Sequence, residues 1–422
     1  MVDERRTDVR TRSVRVGAAV AAAALLVVAC GDAGSARPTG AAPPPVPPSE
    51  GEPVPVRPPE APPNPTPGHA APGLPAADPA AGGTGQAGDE CDVDEILEPS
   101  CGVWWGASPW KGDPRPLEKA AGRPMDIVYT WNGIDQPDVP KDRDLALAAE
   151  GRLIHANIEA RRFERSGHPE VRYRKIIEGD FDDSLTEQAR RVAGTGVPVF
   201  ITFDHEADAS KRYDKRGSPD EFVRAWRHIV DLYRRNGADN AVFVWNVTGW
   251  KGNLDRLPGL WPGNGYVDWI SWEAYNMTGC ELMDGWDHVV SFEEALRPAY
   301  EWIQQEGPKH GIDPAKPVMI GEMGTVPIPK GKGSTEEWYA EIPKVLPEYE
   351  RVKAVKLWDD KTAPSCDFRV LENPAAQRGY TRAGQDPYIR IPDQAREAVT
   401  KALENRDRWT TGHPEGSEDT ED

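Results

Sequence analysis

The sequence predicts a (β/α)8 barrel, the TIM-barrel class of α/β folds, preceded by a signal peptide and a disordered Pro/Ala/Gly tether. Three observations point to the barrel. Eight short apolar runs rich in β-branched residues recur between residues 102 and 358 and end abruptly in polar residues, as buried parallel strands do. Helix-period segments fall between them. No glycine-rich phosphate turn follows an early strand, as the rival doubly wound sheet would require.

The elements read in order. Residues 102–106 are the first strand, followed by a helical stretch at 117–121. Residues 125–131 are the second strand, 143–150 a helix, and 152–157 the third strand. Residues 184–193 are a helix and 197–204 the fourth strand. The next helix is the clearest in the chain. Ser218-Pro219-Asp220-Glu221 is a capping box with proline at the first helical position. Phe222, Trp226, Ile229, Val230 and Tyr233 then recur at helical spacing, and Gly237 ends the helix. Strands follow at 241–246, 266–272, 318–322 and 352–358, with helices at 292–306, 338–349 and 392–405.

The segments outside the barrel have their own signatures. Arg5, Arg6, Arg10, Arg12 and Arg15 precede an apolar run at 17–29, which is the length of a signal-peptide core. Leu26-Val27-Val28-Ala29-Cys30 resembles a bacterial lipobox, which makes Cys30 the expected lipidation site after removal of residues 1–29. Residues 30–90 are an Ala/Pro/Gly tether of extended character, unable to supply a core. Residues 91–406 form the expected barrel domain, and 407–422 an acidic tail with the composition of disorder. The expected location is therefore the outer face of the cell membrane, reached only through the Cys30 lipid.

Net charge is −19, which argues against nucleic acid as a partner and fits a neutral polymer. A monomer without cofactor or metal is expected. Apart from Cys30, the cysteines are Cys91, Cys101, Cys280 and Cys366, an even set in an exported context, so disulfides are expected. Cys91–Cys101 and Cys280–Cys366 is one pairing, and others are open on sequence alone. No CxxC spacing or histidine cluster points to zinc.

In a barrel of this kind chemistry sits at the C-terminal ends of the strands. Those ends carry Trp105, Trp131, His155, Asn157, His205 with Glu206, Asn246, Tyr275, Glu322 and Trp358. Sugars have apolar ring faces and hydroxyl edges, so aromatic platforms beside amide and phenol donors suit a glycan. Two strand-ending carboxylates suit its hydrolysis, one staying protonated to donate and the other ionised to attack.

Several motifs together resemble glycoside hydrolase family 26. They are Phe203-Asp204-His205-Glu206, the helix from Phe222 with Ala238-Asp239-Asn240, Val242-Phe243-Val244-Trp245-Asn246, Tyr275-Asn276 and Val318-Met319-Ile320-Gly321-Glu322-Met323-Gly324. The resemblance covers most of residues 101–400. It implies a (β/α)8 barrel and a retaining endo-β-glycosidase acting on a mannan- or glucan-class polysaccharide. Carried over by position, it makes Glu206 the acid/base, Glu322 the nucleophile, Tyr275 the hydrogen-bond donor to that nucleophile and Trp358 the platform under the sugar. His205 precedes the acid as in the family. His205, Asn246, Trp105, Trp131 and Asn157 complete the expected substrate contacts.

The chain departs from the mannanases of that family after the acid. They continue Met-Asn-Gly with a tryptophan soon after, whereas this chain has Ala207-Asp208-Ala209 and then Tyr213. That departure motivates the alternative of a catalytically impaired, glycan-binding lipoprotein on the same fold. A two-lobed lipoprotein solute receptor is a third reading.

Overall fold

The computed structural model describes residues 91–209, 215–283 and 288–391. The signal peptide, Cys30, the tether, Tyr213, the helix expected at 392–405 and the acidic tail lie outside the described residues.

Eight parallel strands close into a barrel in sequence order, β8 returning to pair with β1. They are β1 Trp104–Ser108, β2 Ile127–Gly133, β3 Leu153–Glu159, β4 Val199–Phe203, β5 Ala241–Asn246, β6 Trp269–Asn276, β7 Val318–Thr325 and β8 Val352–Trp358. Full closure leaves no room for the two-lobed receptor. The expected fifth and eighth strands have the predicted bounds, while β2, β3, β6 and β7 run past theirs by two to four residues. The extensions carry Asn132, Glu159, Glu273, Asn276 and Thr325, and polarity reads as a strand end in sequence. Here it marks the mouth of the barrel, where polar side chains face an enclosed site.

The helix Pro219–Arg235 forms as its sequence demands. Ser218 Oγ accepts from the Glu221 amide at 3.2 Å, and Glu221 reaches back to the Ser218 amide at 3.0 Å. Such a box contributes about 1 kcal/mol. Its stripe of Phe222, Trp226, Ile229, Val230 and Tyr233 is buried against the barrel. One helical expectation needs correction. The stretch at 338–349 is broken into Thr335–Ala340, Ile342–Val345 and a turn at Leu346–Glu348, because Pro343 and Pro347 interrupt the amide ladder. A further helix, Pro374–Gly384, which the sequence reading did not find because glycines and arginines hide its periodicity, packs against Trp105 of β1.

Side chains alternate across each strand, so the barrel has two cores. The outer one lies between strands and helices. The inner one includes Trp104, Ile127, Leu153, Phe200, Trp269 and Met319. Leu97 and Ile391 join this inner cluster. The Leu97 and Ile96 carbonyls accept from the Trp104 and Trp269 indoles at 2.8 and 2.7 Å. The segment that carries them is closed by the Cys91–Cys101 disulfide. It therefore plugs the N-terminal end of the barrel, leaving the C-terminal end open for a site.

Candidate active site

The backbone around Glu206 is built under constraint. Asp204 and Glu206 both have positive φ, 49° and 55°, a conformation that costs a non-glycine residue energy unless neighbours enforce it. Neighbours do so on both sides. The buried Asp204 carboxylate receives the Tyr173 hydroxyl at 2.5 Å, the Ala160 amide at 3.2 Å and the Arg216 guanidinium. Arg216 also contacts Glu159 and Glu170. The Glu206 amide donates to the Asn246 carbonyl on β5 at 3.2 Å. Two residues on, Asp208 is fully buried and receives the Thr248 amide at 2.8 Å and hydroxyl at 2.5 Å. Burial pushes its carboxyl up to about 6 against these hydrogen bonds. Asp208, one of the residues after Glu206 that depart from the family pattern, thus ties this loop to the segment that follows β5.

Glu322 stands on β7 beside β6, and the two strands are in register with Glu322 opposite Glu273 and Gly324 opposite Tyr275. Tyr275 Oη donates to Glu322 Oε2 at 2.7 Å. Burial and the adjoining carboxylates hold the phenol protonated, so it is always the donor. Gly321, just before Glu322, leaves room for the neighbouring Asn246–Ser271 pair. A Cβ there would sit 2.2 Å from Asn246 Nδ2 and 2.5 Å from Ser271 Oγ.

Glu206 and Glu322 are 7% and 6% exposed, so both line a recess rather than solvent. Between them lies a third carboxyl, Glu273, at 3% exposure. Burial first, then the charges of Glu206 and Glu322, push it well above the usual carboxylate range, so it stays a neutral acid. The sequence reading missed Glu273. Its only signal was a charged residue inside a run of tryptophans, Trp269 to Trp272, followed by Tyr275.

The remaining expected contacts divide into walls, supports and core. Trp131 and Trp358 are half-buried and meet edge to face with ring centroids 5.4 Å apart. Trp131 also meets His205 edge-on at 4.4 Å. These rings form an aromatic wall beside the carboxyls. Asn157 and Asn246 are buried and act as supports. Asn157 Nδ2 lies 3.0 Å from His205 Nδ1, which orients the ring next to Glu206, and Asn246 Nδ2 donates to Ser271 Oγ at 2.9 Å. Trp105 is not part of the site. It is fully buried on the outer face of β1, 4.9 Å from the Tyr380 ring and against Gly384. The strand begins and ends two residues later than expected, so Trp105 falls within the strand, on its helix-facing side, and Ser108 is the strand-ending residue. Ser108 Oγ instead accepts from the Trp131 indole at 3.2 Å.

The Cys280–Cys366 disulfide braces the mouth. It ties the loop after β6 to the strand pair Lys361–Ala363 and Cys366–Asp367. The resulting cluster of Met277, Met283, Val326 and Phe368 backs Tyr275 and Trp358, with Phe368 5.1 Å from the Tyr275 ring.

Comparison with known proteins agrees with this geometry. The profile of Glycosyl hydrolase family 26 matches residues 164–323, a span that holds both Glu206 and Glu322. Endoglucanase H of Acetivibrio thermocellus is 26% identical over 294 residues, 67% of this chain. The match spans 30% of that relative's length. Among solved structures, a β-mannanase of Bacteroides ovatus superposes with TM-score 0.52 at 16% identity, over 69% of this chain and 91% of that one. A Cellulomonas fimi endo-β-1,4-mannanase double mutant gives 0.50 at 18% identity, over 72% and 74%. Both likenesses establish a shared fold.

Proposed function

Since the chain belongs to glycosyl hydrolase family 26, we propose that it is an endo-acting hydrolase of a β-linked polysaccharide, of the mannan or glucan class, working by double displacement. The observation that carries this reading is the Tyr275–Glu322 hydrogen bond of 2.7 Å at the rim that also carries Glu206. A carboxylate fixed by a permanently protonated phenol is aimed and ionised, as a nucleophile must be.

In this reading a Glu322 oxygen attacks the anomeric carbon while Glu206 gives its proton to the departing glycosidic oxygen. The sugar–oxygen bond breaks and a glycosyl ester on Glu322 forms. Glu206, now ionised, takes a proton from water, the water oxygen attacks the same carbon, and the ester opens with the β configuration restored. Neutral Glu273 keeps the enclosure from holding a third negative charge. Trp358 and Trp131 offer their faces to the sugar ring, and His205 offers a ring nitrogen.

Endoglucanase H names a glucan-cleaving activity and the structural neighbours name mannanase, so both polymers belong in the test. Anomeric proton NMR of the first products should show β-anomers mutarotating later to the α/β mixture. Glu322→Ala and Glu206→Ala should each abolish release of reducing ends from the polysaccharide. Azide should restore Glu206→Ala on an activated aryl glycoside with a β-azide product. Binding with no turnover by the intact protein on either polymer would support the impaired-enzyme alternative instead. We propose further that Cys30, outside the described residues, anchors the domain through lipid. Cys30→Ala should release it from the membrane fraction.

A further inference from the structure

The floor of the site holds a lysine that the two-step reaction leaves unused. Lys356 on β8, two residues before Trp358, is wholly buried inside the barrel. The fold makes room for it. Gly106 is its partner on β1, and a Cβ there would come within 3.1 Å of Lys356 Cγ and 2.7 Å of Ile127. The missing side chain on β1 is the space that the lysine stem occupies.

Lys356 Nζ rests between two groups. His155 Nδ1 is 2.6 Å away, and the Tyr129 ring centroid 3.3 Å. The polarity of this chain is fixed by its far end. Thr202 Oγ1 gives its only proton to the Val244 carbonyl at 2.9 Å, so it accepts from His155 Nε2 at 2.8 Å. Nδ1 is therefore a lone pair, which receives an N–H from Lys356. Burial and the adjacent lysine keep the imidazole neutral. An aromatic face favours an ammonium over an amine. Among the described residues no carboxylate pairs directly with Nζ, so its charge must be balanced at longer range.

The titratable groups facing this enclosure are Tyr129 on β2, His155 on β3, His205 and Glu206 after β4, Glu273 and Tyr275 on β6, and Glu322 on β7; β1 and β5 contribute none. Both phenols are pushed well up by burial and stay neutral, as do His155 and Glu273. Two opposed influences set Lys356. Burial, the larger of the two, pulls it well below the usual lysine range, and the charge of Glu322 opposes that; the β7–β8 register, with Ile320 opposite Val355 and Met323 opposite Leu357, leaves Gly321 and Glu322 level with Lys356 on the neighbouring strand. Such coupling is reciprocal.

We propose that Lys356 is a positioning residue, the internal counter-ion of Glu322, whose charge keeps that carboxylate ionised from beneath the sugar site. The inference rests on Glu322 being the nucleophile. It also implies that when Glu322 becomes an ester and loses its charge, Lys356 holds its proton less tightly.

The test is Lys356→Gln, which retains a donor toward His155 and removes only the charge. The acidic limb of the kcat/KM–pH profile should move up by about one pH unit, about a tenfold loss on the acid side, while thermal melting shows a folded protein. Lys356→Arg should restore the limb. A folded Gln variant with the wild-type limb overturns the proposal, and Lys356→Met takes its place should the Gln variant not fold. An independent readout needs no change at Lys356. In lysine-13Cε-labelled protein the Lys356 resonance should titrate at lower pH in Glu322→Gln than in wild type, and identical titrations overturn the counter-ion role. Glu322→Ala run in parallel separates the two failures. Full activity in that variant defeats the nucleophile reading itself, whereas an inactive Glu322→Ala beside an unmoved Lys356→Gln profile defeats only the inference about Lys356.

Discussion

Removing one oxygen atom from the site tests the proposed nucleophile most directly. Tyr275→Phe keeps the ring, and with it the 5.1 Å contact with Phe368, so no cavity opens and the braced mouth stays in place. What is lost is the 2.7 Å bond from Tyr275 Oη to Glu322 Oε2. A hydrogen bond to a charged group contributes about 1.5–3 kcal/mol. All of it favours ionised Glu322 over the protonated acid, so its loss raises the acidic limb of the kcat/KM profile by about one to two pH units. At a pH well below the limb the variant should therefore turn over about 10- to 100-fold more slowly than wild type. The assay is release of reducing ends from mannan and mixed-linkage glucan across pH, with thermal melting to confirm folding. A folded variant whose limb coincides with that of wild type would show that Glu322 is not the group the phenol serves, and the assignment of the nucleophile would fall.

Three further outcomes follow from the geometry. Glu273→Gln replaces a neutral carboxyl by a neutral amide of the same shape and should keep kcat/KM within about fivefold, because no charge is lost; a loss of a thousandfold in steady-state kinetics would make Glu273 a proton-transfer group instead. Asp208 is favoured as the neutral acid in the fold, so the stability it contributes is complete below its unfolded value of 3.8 and is lost as pH rises from there to about 6, roughly 3 kcal/mol in all. Asp208→Asn should flatten the dependence of the urea midpoint on pH across that window, and an unchanged slope would contradict the burial argument. Replacing Cys280 and Cys366 by serine opens a loop of 86 residues and should lower stability by about 4 kcal/mol, read as a drop in the denaturation midpoint.

Much of the frame was legible in the chain because local rules and tertiary needs coincide there. Buried parallel strands must be apolar, so all eight were visible, and the Ser218 box and Gly237 stated where the longest helix begins and ends. Glu206 and Glu322 stood out because a carboxylate at the end of an apolar run has few structural reasons to be there. Other features were hidden for physical reasons. Trp105 was misplaced because a two-residue error in where β1 ends exchanges the last residue of the strand for one in its middle, facing the helices. Tyr129, Glu273 and Lys356 were missed because a polar residue inside an apolar strand gives no sign of whether it meets helix, solvent or barrel interior.

The sequence by itself determined the strand order, the most conspicuous caps and the two candidate carboxyls, since each depends on hydrophobic pattern and short-range hydrogen bonds within a few residues. Only the tertiary structure decided which face each strand residue presents and what stands opposite it. Closure of the barrel places Glu273 of β6 against Glu322 of β7 and leaves Lys356 of β8 in the gap made by Gly106 of β1. Electrostatic environment depends on distance and burial rather than on order along the chain. The protonation states of this site are therefore properties of the closed barrel and cannot be read from any one of its strands.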